Sequence, residues 1–211
     1  MTAGPAPGAL SPAARTYLLQ LARSAAAHAL NGTVFAAPEP PAGNDVLTAP
    51  GACFVTFKRK GLPPGESLRG CLGTFDFREP LYRSVARLAA DSVTADSRFR
   101  NDPVTSEELP ELEIDISVLH PPRELAGPLA FELGVDGIVV EGRGTYEGRR
   151  GVYLPQVAVE FEMDKEAFLN SCCEHKAGLP AGAWRDPKRC AVRAFRAEVF
   201  GEEGLISGSK A

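Results

Sequence analysis

The stretch LEIDISVL, residues 112–119, carries the clearest secondary-structure signal in this chain of 211 residues. Apolar and polar side chains alternate along it without interruption, which is the period of a β-strand with one face turned toward a core. The apolar positions are Leu112, Ile114, Ile116 and Val118, and the polar positions are Glu113, Asp115 and Ser117. A proline at position 121 ends the predicted strand.

Further strands are predicted on both sides of this one. ACFVTFKRK at 52–60 and LRGCLGTF at 68–75 predict a hairpin, because the segment between them is rich in turn residues. GVDGIVVEG and RRGVYLPQVA, within 134–158, predict a second strand pair. The GRGTYEGRRG at their junction matches no phosphate-binding fingerprint and is predicted to be a turn carrying arginines. A last strand is expected near AVRAFRAEVFGEE, 191–203, where the alternation slips and indicates a bulge or an edge position.

Three helices are predicted among the strands. The first starts at Ser11, a good N-cap with Pro12 in the first helical position. The second has Pro80 at its start and runs toward DSRF, and the third begins at Asp164 and ends at Gly178. Strands that neighbour one another as hairpins, mixed with helices in no strict order, predict an α+β fold with mainly antiparallel or mixed sheets flanked by helices.

The composition argues against several classes of function. Hydrophobic residues make up 44% of the chain and charged residues 24%, as in globular proteins, and the net charge is −4. That charge repels a phosphate backbone and the basic run at 58–60 is short, so no nucleic-acid partner is expected. No apolar run approaches the ~18 residues that a membrane helix needs, so no membrane association is expected.

The termini and the cysteines bear on localisation. Residues 1–10 lack the features of a signal peptide and are predicted to be a flexible tail, and residues 201–211 are predicted to be a second tail. The five cysteines are odd in number and irregularly spaced, which does not fit a disulfide framework. Reduced thiols in the cytoplasm are therefore expected.

LRGCLGTF raises the question of a chemical site. If side chains alternate, Arg69, Cys71 and Gly73 share one face of the strand, with the guanidinium about 7 Å along the strand from the sulfur. A nearby positive charge favours a thiolate, and Gly73 would leave an open notch that a ligand or a backbone could enter. Alternatively, Cys71 is a small buried hydrophobe and the glycines let a helix pack closely. The residues alone leave both interpretations open.

Two other groups are weaker candidates. Glu113 and Asp115 point the same way and could be paired acids or ligands of a hard cation, although acids on an exposed strand face are more often structural. Cys172 and His175 lie about one helical turn apart, and Cys190 is a third candidate ligand, but zinc sites normally use four ligands in short-spaced pairs. No metal and no cofactor are therefore expected.

LRGCLGTF resembles the signature segment of the AMMECR domain family, with leucine at position 72 where the family usually has isoleucine. Other segments agree with the family in the same order along the chain. They are DSRF at 96–99, LPELEIDISVL at 109–119, GVDGIVV at 134–140, GVYLPQVA at 151–158 and DKEAFL at 164–169. The resemblance implies a single α+β domain over residues 11–200, built of two unequal lobes with a cleft or groove between them.

The resemblance also implies where the function resides. The family motif marks Arg69, Gly70, Cys71, Gly73 and Thr74 as the functional cluster. Microbial members are also called AmmeMemoRadiSam system protein A, after genes that lie beside those of a Memo-type protein and a radical SAM protein, and these two proteins are the expected partners.

Two hypotheses of function follow. In the first, the motif shapes a groove that binds these partners, and the chain is an accessory component without chemistry of its own. In the second, the chain is an enzyme in which Cys71 is a thiolate nucleophile or transient metal ligand and Arg69 holds an anionic small molecule. No histidine lies near the motif in sequence to act as a base, which favours the first hypothesis.

Overall fold

The structure, a computed structural model, describes residues 10–202 of the chain. These residues divide into two compact units, one formed by residues 10–119 with 198–202 and the other by residues 120–197. The predicted N-terminal tail at residues 1–9 and residues 203–211 of the predicted C-terminal tail lie outside the described residues. Two residues of the predicted C-terminal tail are described: Gly201 ends a strand, and the Glu202 carboxylate accepts a hydrogen bond from Arg23.

Six α-helices and eight β-strands form in the residues that the structure describes. The helices are α1 (Pro12–Leu30), α2 (Asp45–Thr48), α3 (Pro64–Ser67), α4 (Leu81–Thr94), α5 (Pro155–Glu160) and α6 (Lys165–Ser171). The strands are β1 (Ala52–Arg59), β2 (Leu68–Gly73), β3 (Leu112–Leu119), β4 (Arg123–Glu124), β5 (Gly137–Gly142), β6 (Arg150–Tyr153), β7 (Cys190–Phe195) and β8 (Ala197–Gly201). They form two four-stranded sheets, ordered β2-β1-β3-β8 and β4-β7-β5-β6. Strand β1 pairs antiparallel with β2 and β3, and β5 pairs antiparallel with β6 and β7. The predicted α+β class is confirmed.

The sheet of the first unit is built around the stretch LEIDISVL. This stretch is β3, which pairs with β1 along its whole length, from Ala52 opposite Leu119 to Arg59 opposite Leu112. The apolar face predicted for β3 is buried in one core together with residues of β1, α1 and α4. Because both long helices contribute to this core, they pack on the apolar face of the sheet.

The two long helices follow their sequence signals closely. The Ser11 hydroxyl accepts the amide N–H of Ala14 at the start of α1, as expected of an N-cap. Helix α4 begins one residue later than predicted, because Pro80 is its N-cap residue rather than its first helical residue. The predicted apolar stripe of α4 is buried, and it consists of Leu81, Val85, Leu88, Ala89 and Val93.

The second unit contains the other sheet and the last two helices. The predicted strand pair is the β5–β6 hairpin, in which Ile138 lies opposite Tyr153. Helix α6 is capped by the Asp164 carboxylate, continues as a turn of π-helix over Cys172–Ala177 and stops at Gly178, as predicted. Helix α5 is not predicted by the sequence, in which PQVA forms the end of the second predicted strand; instead Pro155 is its first helical residue.

The prediction for the last strand is wrong in one respect. Two strands, β7 and β8, form where one strand with a bulge or an edge position was expected; they belong to different sheets, and β8 is an edge strand. The slip in alternation marks Arg196, the residue between them, where the chain leaves one sheet for the other. Across residues 10–202, no helix combines the length and the apolar character needed to cross a membrane.

Candidate functional site

Strand β2, which carries the motif LRGCLGTF, is an edge strand with a break in its register. Gly70 lies opposite Phe57, but Leu68 lies opposite Lys58, so Arg69 is an extra residue on the β2 side of the ladder. This arrangement is a β-bulge, which interrupts the alternation of side chains. The prediction that Arg69 and Cys71 share a face depended on regular alternation, and the bulge removes that premise.

The Cys71 thiol lies at the edge of the polar face of the first sheet. Cys71 is opposite Thr56 of β1, which is opposite Asp115 of β3. The Thr56 hydroxyl donates a hydrogen bond to the Cys71 sulfur at 3.1 Å, and the thiol is half-buried rather than sealed. The Thr56 hydroxyl, rather than the Arg69 guanidinium, is therefore the hydrogen-bond donor to the sulfur. The cation near Cys71 is Arg98, whose pKa is raised mainly by Asp96 and further by Cys71.

A polar surface surrounds this thiol. Lys58, two residues along β1 from Thr56, places its ammonium 2.8 Å from the Asp115 carboxylate and 3.8 Å from that of Glu113. The two acids are thus paired with a lysine, which fits the interpretation that they are structural residues rather than ligands of a cation. We call this surface the Cys71 face, and it consists of Thr56, Lys58, Cys71, Glu113 and Asp115.

The segment DSRF holds the backbone of Cys71 on the outer side of β2. The Asp96 carboxylate accepts the Cys71 amide N–H at 2.9 Å, and the Arg98 guanidinium donates to the Cys71 carbonyl oxygen at 2.9 Å. Asp96 and Arg98 also bind each other, at 2.6 Å. Hydrogen bonds from Arg98 are the largest cause that lowers the pKa of the Asp96 carboxyl, and the Cys71 amide lowers it further. The edge strand is thereby capped and fixed at the cysteine.

Arg69 is buried in an ion-pair cluster of its own. Its side chain is only 3% exposed, and two of its nitrogens bind the Glu108 carboxylate at 2.7 and 2.8 Å. A third nitrogen binds the Asp102 carboxylate and carbonyl oxygen, and the guanidinium lies over the Phe99 ring. Bonding to Glu108 is the largest cause that raises the pKa of Arg69, and the same contact lowers the pKa of Glu108. Arg69 therefore stabilises the fold, and its charge is already neutralised.

Gly70 allows α4 to approach the sheet. A Cβ at this position would lie 2.1 Å from the Ser92 carbonyl oxygen, which no side chain could accommodate without a backbone shift. The close approach lets the buried Ser92 hydroxyl bridge the ladder, since it accepts the Leu72 amide and donates to the Val55 carbonyl. Gly70 therefore has the packing role that the alternative interpretation of the motif gave its glycines.

Gly73 and Thr74 end the strand. A Cβ on Gly73 would lie 2.1 Å from the Phe54 ring, so that ring fills the notch that the sequence predicted to be open. The prediction of an open notch at Gly73 is wrong. Thr74 donates its amide N–H to the Cys53 carbonyl oxygen, and its hydroxyl accepts the amide of Asp76, which makes it a turn residue.

The second group of candidate residues lies apart from the Cys71 face in the sequence and within the second unit. Cys172 is fully buried and His175 is exposed. Cys190 is hydrogen-bonded to Cys173 rather than to Cys172, and this contact is the largest cause that raises the pKa of the Cys190 thiol. Among residues 10–202, no group of three or more His, Cys, Asp or Glu side chains is arranged to hold a metal ion.

Comparison with known proteins identifies the family. A model of the AMMECR1 family matches residues 19–200. A protein of Thermococcus gammatolerans is 40% identical over 195 residues, 89% of each chain, and a protein of Methanothermobacter thermautotrophicus is 39% identical over 166 residues, 76% of this chain and 80% of the relative. The chain therefore belongs to the AMMECR1 family, as its motifs predicted.

A solved structure supports the fold. The crystal structure of the uncharacterized protein PH0010 from Pyrococcus horikoshii matches with a TM-score of 0.75 and 37% sequence identity. The match covers 89% of this chain and 90% of that chain.

Sequence reasoning missed the residues that surround the motif. Asp96 and Arg98 were noticed only as part of a matching segment, and Thr56 was not singled out. Thr105 and Glu108 have the spacing of a capping box, and the Glu108 amide does donate to the Thr105 hydroxyl at 3.2 Å. The capping-box spacing predicts where Glu108 lies, but no local pattern in the sequence indicates that its carboxylate binds Arg69.

Proposed function

We propose that this AMMECR1-family protein is a binding or accessory component and that the Cys71 face is its contact surface. The observation that carries the proposal is a polar, partly exposed sheet face whose opposite face packs against both long helices. Its edge strand is fixed by Asp96 and Arg98, so the surface is rigid before a partner arrives. A surface ordered in advance loses little conformational entropy on binding.

The state of Arg69 favours binding over catalysis. A catalytic thiol needs a base or a cation to become a thiolate. The guanidinium of Arg69 is instead buried and bound by Glu108 and Asp102. The guanidinium of Arg98, which lies nearer the thiol, is bound by the Asp96 carboxylate. The charges on the Cys71 face are of both signs, from Lys58, Glu113 and Asp115, which suits a polar protein contact specified by charge complementarity.

The proposed partners are a Memo-type protein and a radical SAM protein. This assignment rests on the family relationship, in which microbial members are named for genes found beside these two. The charge arrangement of the Cys71 face requires a complementary patch on the partner, with an acidic group for Lys58 and a basic group for Asp115 or Glu113.

Titration of the purified protein with each proposed partner tests the function. Thr56→Arg places a bulky cation in the middle of the face and should weaken binding by at least about 10-fold, a 1.4 kcal/mol loss. Thr48→Arg is the matched control, because Thr48 is exposed on the short helix α2 and should leave affinity unchanged. Circular dichroism confirms that both variants fold. Equal affinity of the two variants, or no binding by the wild type, would contradict the proposal.

One observation favours a second function. The half-buried Cys71 sulfur is partly accessible to solvent and accepts a hydrogen bond from Thr56, so a small molecule can reach it. In that case Cys71 is a nucleophile or soft ligand for a small molecule, and Arg69 does not hold the substrate. Cys71→Ser separates the two functions, since it keeps partner binding in the accessory protein but abolishes turnover in the enzyme.

A further inference from the structure

A pocket in the second unit is lined by arginines. It has a volume of about 300 Å³ and is formed by the turn between β5 and β6 together with β7. This turn is the segment GRGTYEGRRG, which is predicted from the sequence to be a turn carrying arginines. The charged lining residues are Arg143, Arg149, Arg150, Arg193, Glu141 and Glu147. Four arginines against two glutamates make the pocket cationic, although the whole chain has a net charge of −4.

Two of the arginines are paired with acids. Arg193 donates to the Glu141 carboxylate at 2.8 Å and to the Glu124 carboxylate at 2.6 Å. Arg150 lies 3.7 Å from the same Glu141 carboxylate. One glutamate of the lining is therefore shared by two guanidinium groups, and this part of the pocket is held in place by its own ion pairs.

The other two arginines contact backbone carbonyl oxygens. Arg143 donates to the Pro187 carbonyl oxygen at 3.1 Å, and Arg149 donates to the carbonyl oxygen of Gly178. In the part of the chain that the structure describes, neither guanidinium has a carboxylate within ion-pair distance. Each carbonyl contact uses a single nitrogen, and a guanidinium carries five N–H donors. Most of the hydrogen-bonding capacity of this pair faces the pocket or water.

Backbone hydrogen bonds hold the main chain in place at Arg143 and Arg149. The Arg143 amide donates to the Arg189 carbonyl oxygen at 2.7 Å, which ties the turn to the segment before β7. The Gly142 amide donates to the Arg149 carbonyl oxygen at 2.8 Å, which closes the turn between the two arginines. The Arg149 guanidinium also lies over the Tyr146 ring. Restricted side chains lose less entropy on binding a ligand.

We propose that this pocket binds a small molecule bearing a phosphate group. A guanidinium matches phosphate oxygens with two parallel N–H bonds, and two unpaired guanidiniums on one turn suit an anion with several oxygens. The volume lies at the small end of ligand sites, which fits a phosphorylated metabolite rather than a polymer. Glu147, which lines the same pocket, accepts hydrogen bonds and so suits a ligand that also carries hydroxyl groups.

Calorimetric titration of the full chain with pyrophosphate and with ribose 5-phosphate tests the proposal. The wild type should bind at least one of these probes, and Arg143→Ala and Arg149→Ala should each weaken binding by about 10-fold. The control is Lys176→Ala with Arg185→Ala, which removes two positive charges from exposed positions of the same unit outside the pocket and should leave affinity unchanged. Arg149→Gln provides a second variant that keeps a polar side chain at the turn.

Three results would overturn the proposal. The first is no binding of either probe by the wild type up to about 10 mM, far above a weak dissociation constant of about 1 mM. The second is equal loss of affinity in the pocket variants and the control, which would indicate a general charge effect. The third is tighter binding of a single-stranded RNA oligonucleotide than of either small phosphate, with the steep salt dependence of a polymer contact. These outcomes are independent of the Cys71 face, since neither probe titration includes a protein partner.

Discussion

Replacing Glu108 by glutamine should destabilise the first unit strongly, because the change breaks a buried ion pair. The Arg69 side chain is 3% exposed and that of Glu108 is 20% exposed, so water cannot take over the role of the lost carboxylate charge. Glutamine keeps one carbonyl oxygen to accept one of the two bonds from Arg69. Asp102 remains as a counter-ion, but its side chain is 74% exposed and is screened by solvent.

The magnitude follows from this geometry. Removing one partner of a fully buried ion pair costs about 3–5 kcal/mol, since the other charge is left uncompensated. The remaining Asp102 contact and the retained acceptor reduce that cost, so we expect Glu108→Gln to lower the free energy of unfolding by about 2–3 kcal/mol. The second salt bridge of Glu108, to Arg59 at 3.1 Å, contributes little because Arg59 is exposed.

Urea denaturation followed by far-ultraviolet circular dichroism measures this loss. Fluorescence would be a poor probe, because the single tryptophan, Trp184, belongs to the second unit. The matched control is Glu166→Gln, since the side chains of Glu166 and its partner Arg185 are both exposed, and we expect no measurable change there. If both variants lose the same stability, the buried pair is not a determinant of the fold and the reasoning fails.

Three further predictions concern the motif. Iodoacetamide should label Cys71 alone in the native protein, because the other four cysteines are buried. Mass spectrometry should count all five labelled cysteines after denaturation, and labelling of a second cysteine in the native protein would contradict the packing. The pKa of Asp96 is held below its usual value by Arg98. The contribution of this carboxylate to stability is therefore complete above the unfolded-state pKa of about 3.9 and is lost as the pH falls through the folded-state pKa. The stability of Asp96→Asn should thus fall less steeply than that of the wild type below a pH of about 3.9, and an unchanged profile would contradict the contact. Gly70→Ala should cost about 1–3 kcal/mol in urea denaturation because its Cβ meets the backbone of α4, whereas Gly127→Ala, with open space, should cost far less.

Local signals in the sequence predicted the elements well. The alternation of LEIDISVL defined β3 and its core face, and Ser11 and Asp164 defined the starts of two helices. Each of these signals depends on residues only a few positions apart, so a short stretch of sequence is enough to predict the strand or the start of the helix. The family motifs added the correct fold and the segment in which the candidate site lies.

The surroundings of Cys71 could not be predicted because they depend on contacts between distant segments. Asp96 reaches the Cys71 amide from 25 positions away, and Glu108 reaches Arg69 from 39 positions away. The bulge at Arg69 is an irregularity of pairing between two strands, which alternation within one strand does not reveal. Phe54 fills the space beside Gly73 from the neighbouring strand, so an apparent gap in one strand was closed by the next.

Hydrogen–deuterium exchange of the protein with and without a bound partner tests the central claim most directly. The account predicts that a Memo-type or radical SAM partner slows exchange in peptides of β1, β2 and β3 that contain Thr56, Cys71 and Asp115. Peptides from β5, β6 and β7 should keep their exchange rates. Slowed exchange confined to that second sheet, with unchanged rates at Cys71, would show that the polar face of the first sheet is not the contact surface.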